Sequence, residues 1–241
     1  MKTKLSDEYK LSIKENLDAI RKRMAEVNAD GREVVLLSAT KTVDADAINY
    51  AINECGLTDI GENRVQELIA KYDELDKEKV SLHFIGTLQT NKVKYIIDKV
   101  CMIHSLDSVK LAAEIDRQAK KHGIVMDVLI EINIGREESK SGVMPEDFDD
   151  FVDRISVFEN IRVRGIMVIG PICAQKDEYI EYFQKTYSFF LDILPKKIHN
   201  IYKPVLSMGM SDNFDLAIGC GSNLVRVGSA IFGKRSYKAN T

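Results

Sequence analysis

The sequence predicts an α/β protein, a (β/α)8 TIM barrel with an additional N-terminal helix. Eight short apolar segments rich in β-branched residues alternate with helical segments, which favours parallel strands joined by right-handed crossovers. Eight such units within a chain of 241 residues match the size at which this barrel closes. We expect residues 1–241 to form one domain, with the N-terminal helix at 5–29 and the barrel at about 33–233.

The N-terminal helix is predicted by apolar residues at three- and four-residue intervals, such as Tyr9, Ile13 and Leu17. We expect it to cover the outside of the barrel where the last strand lacks a full helix after it. The predicted strands are 33–38, 57–60, 80–85, 100–105, 126–134, 161–169, 203–207 and 223–227. The predicted barrel helices are 44–55, 62–75, 88–98, 108–121, 145–157, 177–193 and 212–219.

An open, doubly wound sheet is the alternative arrangement of these elements. That fold commonly carries a G-x-G-x-x-G turn after its first strand, and no such turn follows the segment 33–38. Polar residues also follow many of the predicted strands, where a barrel places its functional residues. We therefore favour the barrel.

The composition is that of an ordinary globular protein, with 45% hydrophobic and 29% charged residues and a formal net charge of −3. No segment approaches the ~20 apolar residues of a membrane helix, and the first residues lack the apolar block of a secretory signal, so we expect a cytoplasmic protein without membrane contact. Lysines are interleaved with acids, which argues against nucleic acid as a partner. The four cysteines lack metal-ligand spacing, so we expect reduced, mostly buried thiols and no metal site.

Lys41 follows an apolar run at 34–37, at the end of the first predicted strand. Functional residues of a barrel project from the C-terminal ends of its strands. Burial favours the uncharged form of an amine, and the uncharged amine condenses with aldehydes. Lys41 is therefore a candidate for a Schiff-base lysine, and the alternative is an exposed lysine in a surface loop.

Two glycine- and serine-containing loops follow the seventh and eighth predicted strands. Their candidate site residues are Ser207, Met208, Gly209, Gly228 and Ser229. In many barrels these two loops bind phosphate through backbone N–H groups, because glycine lets an anion approach and serine adds a donor. We predict a phosphate site here, although capping of the next helix is an alternative role for the first loop.

Arg226 lies near the end of the last predicted strand, and Met167 lies near the end of the sixth. Strand residues alternate between the lumen and the outside of a barrel, and an arginine in the lumen requires a defined acceptor. A pyridine nitrogen would serve as that acceptor, whereas an outward Arg226 would pair with an acid on a helix. We expect Met167 to be a core residue or part of the pocket wall.

Seven segments in order resemble the pyridoxal phosphate homeostasis protein family. They are SATKTV, IGENRVQE, HFIGTLQTNK, EINIGREESKSG, RGIMVIG, LSMGMSDNFDLAI and GSNLVRVGSAIFG, and together they extend over nearly the whole chain. That family is similar in fold to the N-terminal domain of alanine racemase, a barrel that carries its cofactor on a lysine after the first strand.

The resemblance implies that Lys41 holds pyridoxal 5'-phosphate (PLP) as a covalent Schiff base, with Asn63 and His83 beside the cofactor. It also implies that Arg226 faces the pyridine nitrogen and that the two loops hold the phosphate. The implied function is PLP homeostasis, in which the protein buffers the cofactor and delivers it to apo PLP-dependent enzymes. We expect it to be no enzyme, or at most a weak one.

Two alternative functions stay open. One is a PLP-dependent amino-acid racemase, and the other is an aldolase-type barrel whose lysine bonds to a phosphorylated sugar. An arginine against the ring nitrogen disfavours its protonation and makes the ring a weaker electron sink, which favours a carrier. The chain ends at Thr241, directly after the predicted barrel, so we also expect no second domain and a monomer.

Overall fold

The computed structural model describes residues 5–137, 140–171, 173, 175–197 and 204–233. Eight parallel strands form a closed barrel in chain order, and the last strand pairs with the first. The strands are β1 (Val35–Ala39), β2 (Asp59–Glu62), β3 (Ser81–Phe84), β4 (Met102–Leu106), β5 (Met126–Glu131), β6 (Ile161–Met167), β7 (Val205–Ser207) and β8 (Leu224–Val227). The predicted (β/α)8 architecture is confirmed.

Eight α-helices accompany the strands in the described part of the chain. They are α1 (Asp7–Val27), α2 (Ala45–Cys55), α3 (Val65–Tyr72), α4 (Val109–His122), α5 (Phe148–Ile155), α6 (Lys176–Lys197), α7 (Phe214–Gly219) and α8 (Ser229–Phe232). The Ser6 hydroxyl caps the start of α1 by accepting the N–H of Tyr9. Gly123 ends α4 in the left-handed conformation that glycine adopts readily.

The segment between β3 and β4 differs from the prediction. A helix was predicted over 88–98, but the structure has a 3-10 helix at Thr90–Tyr95. The N–H of Ile96 donates to the carbonyl of Val93 three residues earlier. Both side chains are fully buried, so packing of β-branched residues outweighs the helical periodicity. A second difference is that the predicted strand 126–134 already ends at Glu131.

The main hydrophobic core lies between the barrel and its helices. Two small apolar clusters are separate from it and lie on inward-facing strand positions. One contains Leu37, Ile85 and Leu224, and the other contains Met102, Leu129 and Met167. The barrel interior is therefore packed with side chains, as is usual for this fold.

Helix α1 covers the outside of the barrel beside α7 and α8, as predicted. Ile13 and Leu17 on its inner face are fully buried. The Tyr9 hydroxyl donates to the carbonyl of Phe232 at 3.0 Å, and Asn16 Nδ2 donates to the carbonyl of Ile231 at 2.9 Å. These side chains satisfy carbonyls at the end of α8, which the short helix cannot satisfy itself.

The cysteines are all free thiols, but the expectation that most are buried is wrong. Cys55 is buried, whereas Cys101 is exposed and Cys173 and Cys220 are half-buried. Within the described residues, His, Cys, Asp and Glu side chains form no group of three or more that could hold a metal ion. None of the helices in the described part of the chain is both long and apolar enough to cross a membrane.

Candidate functional site

A cavity of about 630 Å³ opens at the C-terminal ends of the barrel strands. Small-molecule sites commonly have volumes of about 300–1,000 Å³. The predicted site residues that line this cavity are Lys41, Asn63, Arg226, Gly228 and Ser229. Barrel closure thus brings an amine, an amide, a guanidinium and a glycine–serine loop from distant parts of the sequence to one place.

Lys41 is half-buried and lies in a hydrogen-bonded turn after β1. The N–H of Val43 donates to the carbonyl of Thr40 at 3.0 Å. Thr42 has a φ of 63°, which is unusual for a β-branched residue, and its N–H donates to Glu67 Oε2 at 2.9 Å. The strained turn fixes the backbone on both sides of Lys41 at the wall of the cavity.

A buried ion pair supports this turn from the side of α3. Lys71 Nζ lies 2.8 Å from Glu62 Oε1 and also donates to the carbonyl of Thr40 at 2.8 Å. The Thr40 hydroxyl donates to the same Glu62 oxygen at 2.8 Å. The Glu62 side chain is 1% exposed, so its charge depends on these partners. The pair therefore anchors the residue that precedes Lys41.

Asn63, at the end of β2, lines the cavity and has an unused acceptor. Its Oδ1 atom is buried and has no hydrogen-bond partner among the described residues. Gly86 makes room for this residue, because a Cβ at position 86 would lie 2.1 Å from the Asn63 carbonyl oxygen. A buried acceptor without a partner costs free energy, so this position suits a ligand that donates a hydrogen bond.

Ser211 in the first loop accepts two backbone N–H groups of the second loop. Its Oγ accepts the N–H of Gly228 at 3.1 Å and that of Ala230 at 3.4 Å. Two backbone N–H groups at a helix start form the kind of position that a phosphate oxygen takes. Ser211, Gly228 and Ser229 all line the cavity, so an anion there would meet the two serine hydroxyls beside the start of α8.

Gly228 lets the last strand come close to the first. A Cβ at this position would lie 2.8 Å from the carbonyl oxygen of Ala39. Gly209 has a φ of 94°, and a Cβ there would lie 2.6 Å from Ala217 Cβ. Gly228 is therefore required by close packing against backbone, and Gly209 by its positive φ and its contact with α7.

Arg226 faces the barrel interior and its guanidinium is held on several sides. Nη1 donates to the Ser207 carbonyl at 2.9 Å and to Ser207 Oγ at 2.7 Å, and Nη2 donates to the Val168 carbonyl at 2.9 Å. Burial lowers the pKa of Arg226 to about 10, while Glu131 and Tyr182 act to raise it. Arg226 is therefore a fixed positive charge at neutral pH.

The other predicted site residues do not line the cavity. They are His83, Met167, Ser207, Met208 and Gly209. His83 Nδ1 lies 3.0 Å from His104 Nε2, and His83 Nε2 lies 3.2 Å from Asp59 Oδ1. Asp59 is the first residue of β2, at the end of the strand that is far from the cavity. The N–H of Met208 donates to the carbonyl of Leu224 in β8 at 3.1 Å, and Met167 belongs to the apolar cluster with Met102 and Leu129.

Several residues that line the cavity were not among the predicted site residues. They include Tyr9, Asp44, Ile169, Met210, Ser211 and Phe232. Tyr9 reaches the cavity from α1, and its helical spacing had suggested only a core position. Ser211 lies in the predicted phosphate loop, and counting residues from the end of β7 would have distinguished it from Ser207, which is still in the strand.

The model of the family described as "Alanine racemase, N-terminal domain" matches residues 12–236 of the chain. The pyridoxal phosphate homeostasis protein of Aquifex aeolicus is 45% identical over 202 residues, which cover 84% of this chain and 87% of that relative. The relative of the same name from Pseudomonas aeruginosa is 35% identical over 232 residues, covering 95% of this chain and 98% of the relative.

Solved structures agree with this relationship. PipY of Synechococcus elongatus, solved with PLP bound, has a TM-score of 0.80 and 31% identity, and the match covers 92% of this chain and all of that one. An alanine racemase of Clostridium difficile has a TM-score of 0.68 at 15% identity, covering 94% of this chain and 61% of the racemase, and so shares the fold. The chain belongs to the pyridoxal phosphate homeostasis protein family, whose barrel is that of the alanine racemase N-terminal domain.

Proposed function

We propose that this chain binds PLP in the cavity, holds it on Lys41 through a Schiff base, and serves PLP homeostasis by buffering and delivering the cofactor. The observation that carries the proposal is the convergence of Lys41, Arg226 and the Ser211–Gly228 loops in one cavity. These groups match an aldehyde, a pyridine nitrogen and a phosphate respectively. The names of the relatives and the PLP-bound PipY structure support the same conclusion.

Each part of the cavity has a role in this proposal. Lys41 supplies the amine, and Ser211, Gly228 and Ser229 bind the phosphate. Asn63, whose Oδ1 has no partner among the described residues, offers a polar side chain to the cofactor at the cavity wall. Of the predicted contacts outside the cavity wall, Ser207, His83 and Met167 support the wall from inside the barrel, and Met208 and Gly209 fix the backbone of the loop.

The charge of Arg226 favours a carrier over a catalyst. PLP, when bound, supplies an electron sink for amine chemistry. A guanidinium that stays charged at neutral pH disfavours protonation of a facing ring nitrogen and so weakens that sink. A racemase also needs a second acid–base group, on the ring face opposite the lysine. The Tyr9 hydroxyl donates to the Phe232 carbonyl, and burial raises its pKa, so it is poorly suited to that role. We infer at most weak enzymatic activity.

The first experiment tests cofactor attachment. Purified protein is mixed with PLP, the visible absorbance is recorded, and the complex is reduced with borohydride and digested for peptide mass spectrometry. We expect a yellow complex with the added mass on the peptide that contains Lys41. Lys41→Ala should lose both signals, and the exposed control Lys110→Ala should retain them. Label on another lysine, or no absorbance in the wild type, would refute the proposal.

A second experiment separates a carrier from a racemase. The PLP-loaded protein is incubated with L-amino acids, and D-isomers are measured by chiral chromatography. It is also mixed with an apo PLP-dependent enzyme, with and without a trap for free PLP. We expect transfer of PLP and little or no D-isomer, whereas racemisation at many turnovers per minute would favour the enzyme.

We further propose that the protein acts as a cytoplasmic, single-domain monomer. Size-exclusion chromatography with light scattering tests the monomeric state.

A further inference from the structure

A line of polar side chains, all buried except the half-buried Asp59, crosses the barrel interior from Arg226 to Asp59. Arg226 Nη1 donates to Ser207 Oγ at 2.7 Å, and Ser207 Oγ lies 3.5 Å from His104 Nδ1. His104 Nε2 lies 3.0 Å from His83 Nδ1, and His83 Nε2 lies 3.2 Å from Asp59 Oδ1. One end of this line is at the cavity wall, and the other is at the start of β2.

The two ends of the line constrain the direction of its hydrogen bonds. A guanidinium can only donate, so Ser207 Oγ accepts from Arg226, and a carboxylate can only accept, so His83 Nε2 carries a proton and donates to Asp59. With one proton on each ring, His83 Nδ1 then accepts from His104 Nε2. His104 Nδ1 in turn accepts the hydroxyl proton of Ser207.

The neutral state of His104 is consistent with its surroundings. The side chain is fully buried, and burial, with His83 and Arg226 nearby, lowers its pKa well below the usual range. Glu131 and Tyr182 are the other titratable groups whose charges act on Arg226, and they lie on β5 and α6. Their charges act on Arg226 from outside the line, and its hydrogen bonds go to Ser207 and Val168.

We propose that Asp59, His83, His104 and Ser207 form a positioning relay that fixes the Arg226 guanidinium and links it to a carboxylate at the opposite end of the barrel. The relay rests on the proposed function only in that Arg226 faces the cofactor. Its members are positioning residues, since Arg226 alone among them lines the cavity. A chain of donors all pointing one way polarises each successive bond, so a change at Asp59 alters the site from a distance.

The direct test is 15N NMR of the histidine side chains at pH 7, recorded on protein without added PLP and assigned with His83→Asn and His104→Asn. The relay requires each histidine to carry its proton at Nε2 and none at Nδ1. The opposite tautomer in either ring, or a charged His104, overturns the relay. This measurement does not depend on PLP binding, so it stands or fails separately from the proposed function.

Variants of Asp59 test whether the far end matters. Asp59→Ala removes the acceptor, whereas Asp59→Asn retains an oxygen that accepts from His83. Asp127→Ala is the matched control, because Asp127 lies at the start of β5 at the same end of the barrel and pairs with Arg162 and Arg164. We expect Asp59→Ala to shift the His104 signals, and Asp59→Asn and Asp127→Ala to leave its tautomer unchanged. Equal shifts with Asp59→Ala and Asp127→Ala would overturn the relay.

Ser207→Ala tests the link to the site itself. We expect release of PLP to become about tenfold faster, the factor expected for one lost charge-assisted hydrogen bond. The pH midpoint of the visible absorbance should move as well. The control is Ser105→Ala, since Ser105 is a buried strand serine whose hydroxyl has no partner among the described residues. Equal rates and midpoints in the two variants contradict the relay, and a wild type that takes up no PLP contradicts the proposed function instead.

Discussion

Ser211 joins the two loops at the mouth of the barrel, because its hydroxyl oxygen accepts the N–H of Gly228 at 3.1 Å. We predict that Ser211→Ala weakens PLP binding by about tenfold, the equivalent of roughly 1.4 kcal/mol, because one phosphate donor is lost. Spectrophotometric titration with PLP measures the change. Ser156→Ala is the control, because Ser156 is an exposed serine after α5, and this variant should bind PLP as the wild type does. Unchanged affinity in Ser211→Ala would remove this serine from the site.

The approach of Gly228 to Ala39 leads to a prediction about stability. A Cβ at position 228 would lie 2.8 Å from a backbone oxygen, so we expect Gly228→Ala to lower the free energy of unfolding by about 1–3 kcal/mol. Gly219→Ala is the matched control, since a Cβ there meets nothing within 4 Å. We expect the control to stay within about 0.5 kcal/mol of the wild type. Urea unfolding followed by circular dichroism compares the two, and equal midpoints would show that the backbones can separate without cost.

The buried pair of Glu62 and Lys71 gives a third prediction. Lys71→Met leaves the Glu62 carboxylate buried without its cation, so we expect a loss of about 3–5 kcal/mol in the free energy of unfolding. The double variant Glu62→Gln/Lys71→Met should regain part of this loss. Arg154→Met, which breaks the exposed pair with Asp150, should cost about 1 kcal/mol or less. Chemical denaturation tests all three, and a double variant no more stable than Lys71→Met would contradict the explanation.

The buried His104 predicts how stability depends on pH. Its pKa is lowered in the folded protein, so below the unfolded value of about 6.5 the unfolded chain binds the additional proton. The contribution of this group to stability is therefore complete above pH 6.5 and is lost as the pH falls, by up to about 1.4 kcal/mol for each pH unit. Unfolding curves between pH 7 and pH 5 should show a shallower slope for His104→Asn than for the wild type. The exposed His122→Asn should leave the slope unchanged, and equal slopes in all three proteins would disprove the effect.

The barrel could be predicted because each strand and helix leaves its own periodic pattern in the sequence. Lys41 and Gly228 were found for a similar reason, since they follow strands and the ends of parallel strands meet at one edge, whereas Asn63 came from the family resemblance. The positions of His83 and Ser207 could not be derived in this way. Both side chains point into the lumen from within a strand, and whether such a residue reaches the mouth depends on the stagger of neighbouring strands.

The 3-10 segment at Thr90–Tyr95 and the cavity contact of Tyr9 were missed for another reason. Val93 and Ile96 have helical spacing, but their burial against neighbouring elements selects a tighter turn. Tyr9 has the spacing of a core residue, and its contact depends on where α1 lies against α8. Contacts between elements that are far apart in sequence leave no local pattern.

The cavity is built from both ends of the chain, because Tyr9 and Lys41 come early while Arg226, Gly228 and Ser229 come late. During synthesis the lysine leaves the ribosome well before the residues that complete its surroundings. A nascent chain that lacks β8 has the amine but lacks the guanidinium and the second loop. Capture of the cofactor should therefore begin only when the final strand has closed the barrel, so that a ribosome-bound chain stalled before residue 224 remains colourless in the presence of PLP.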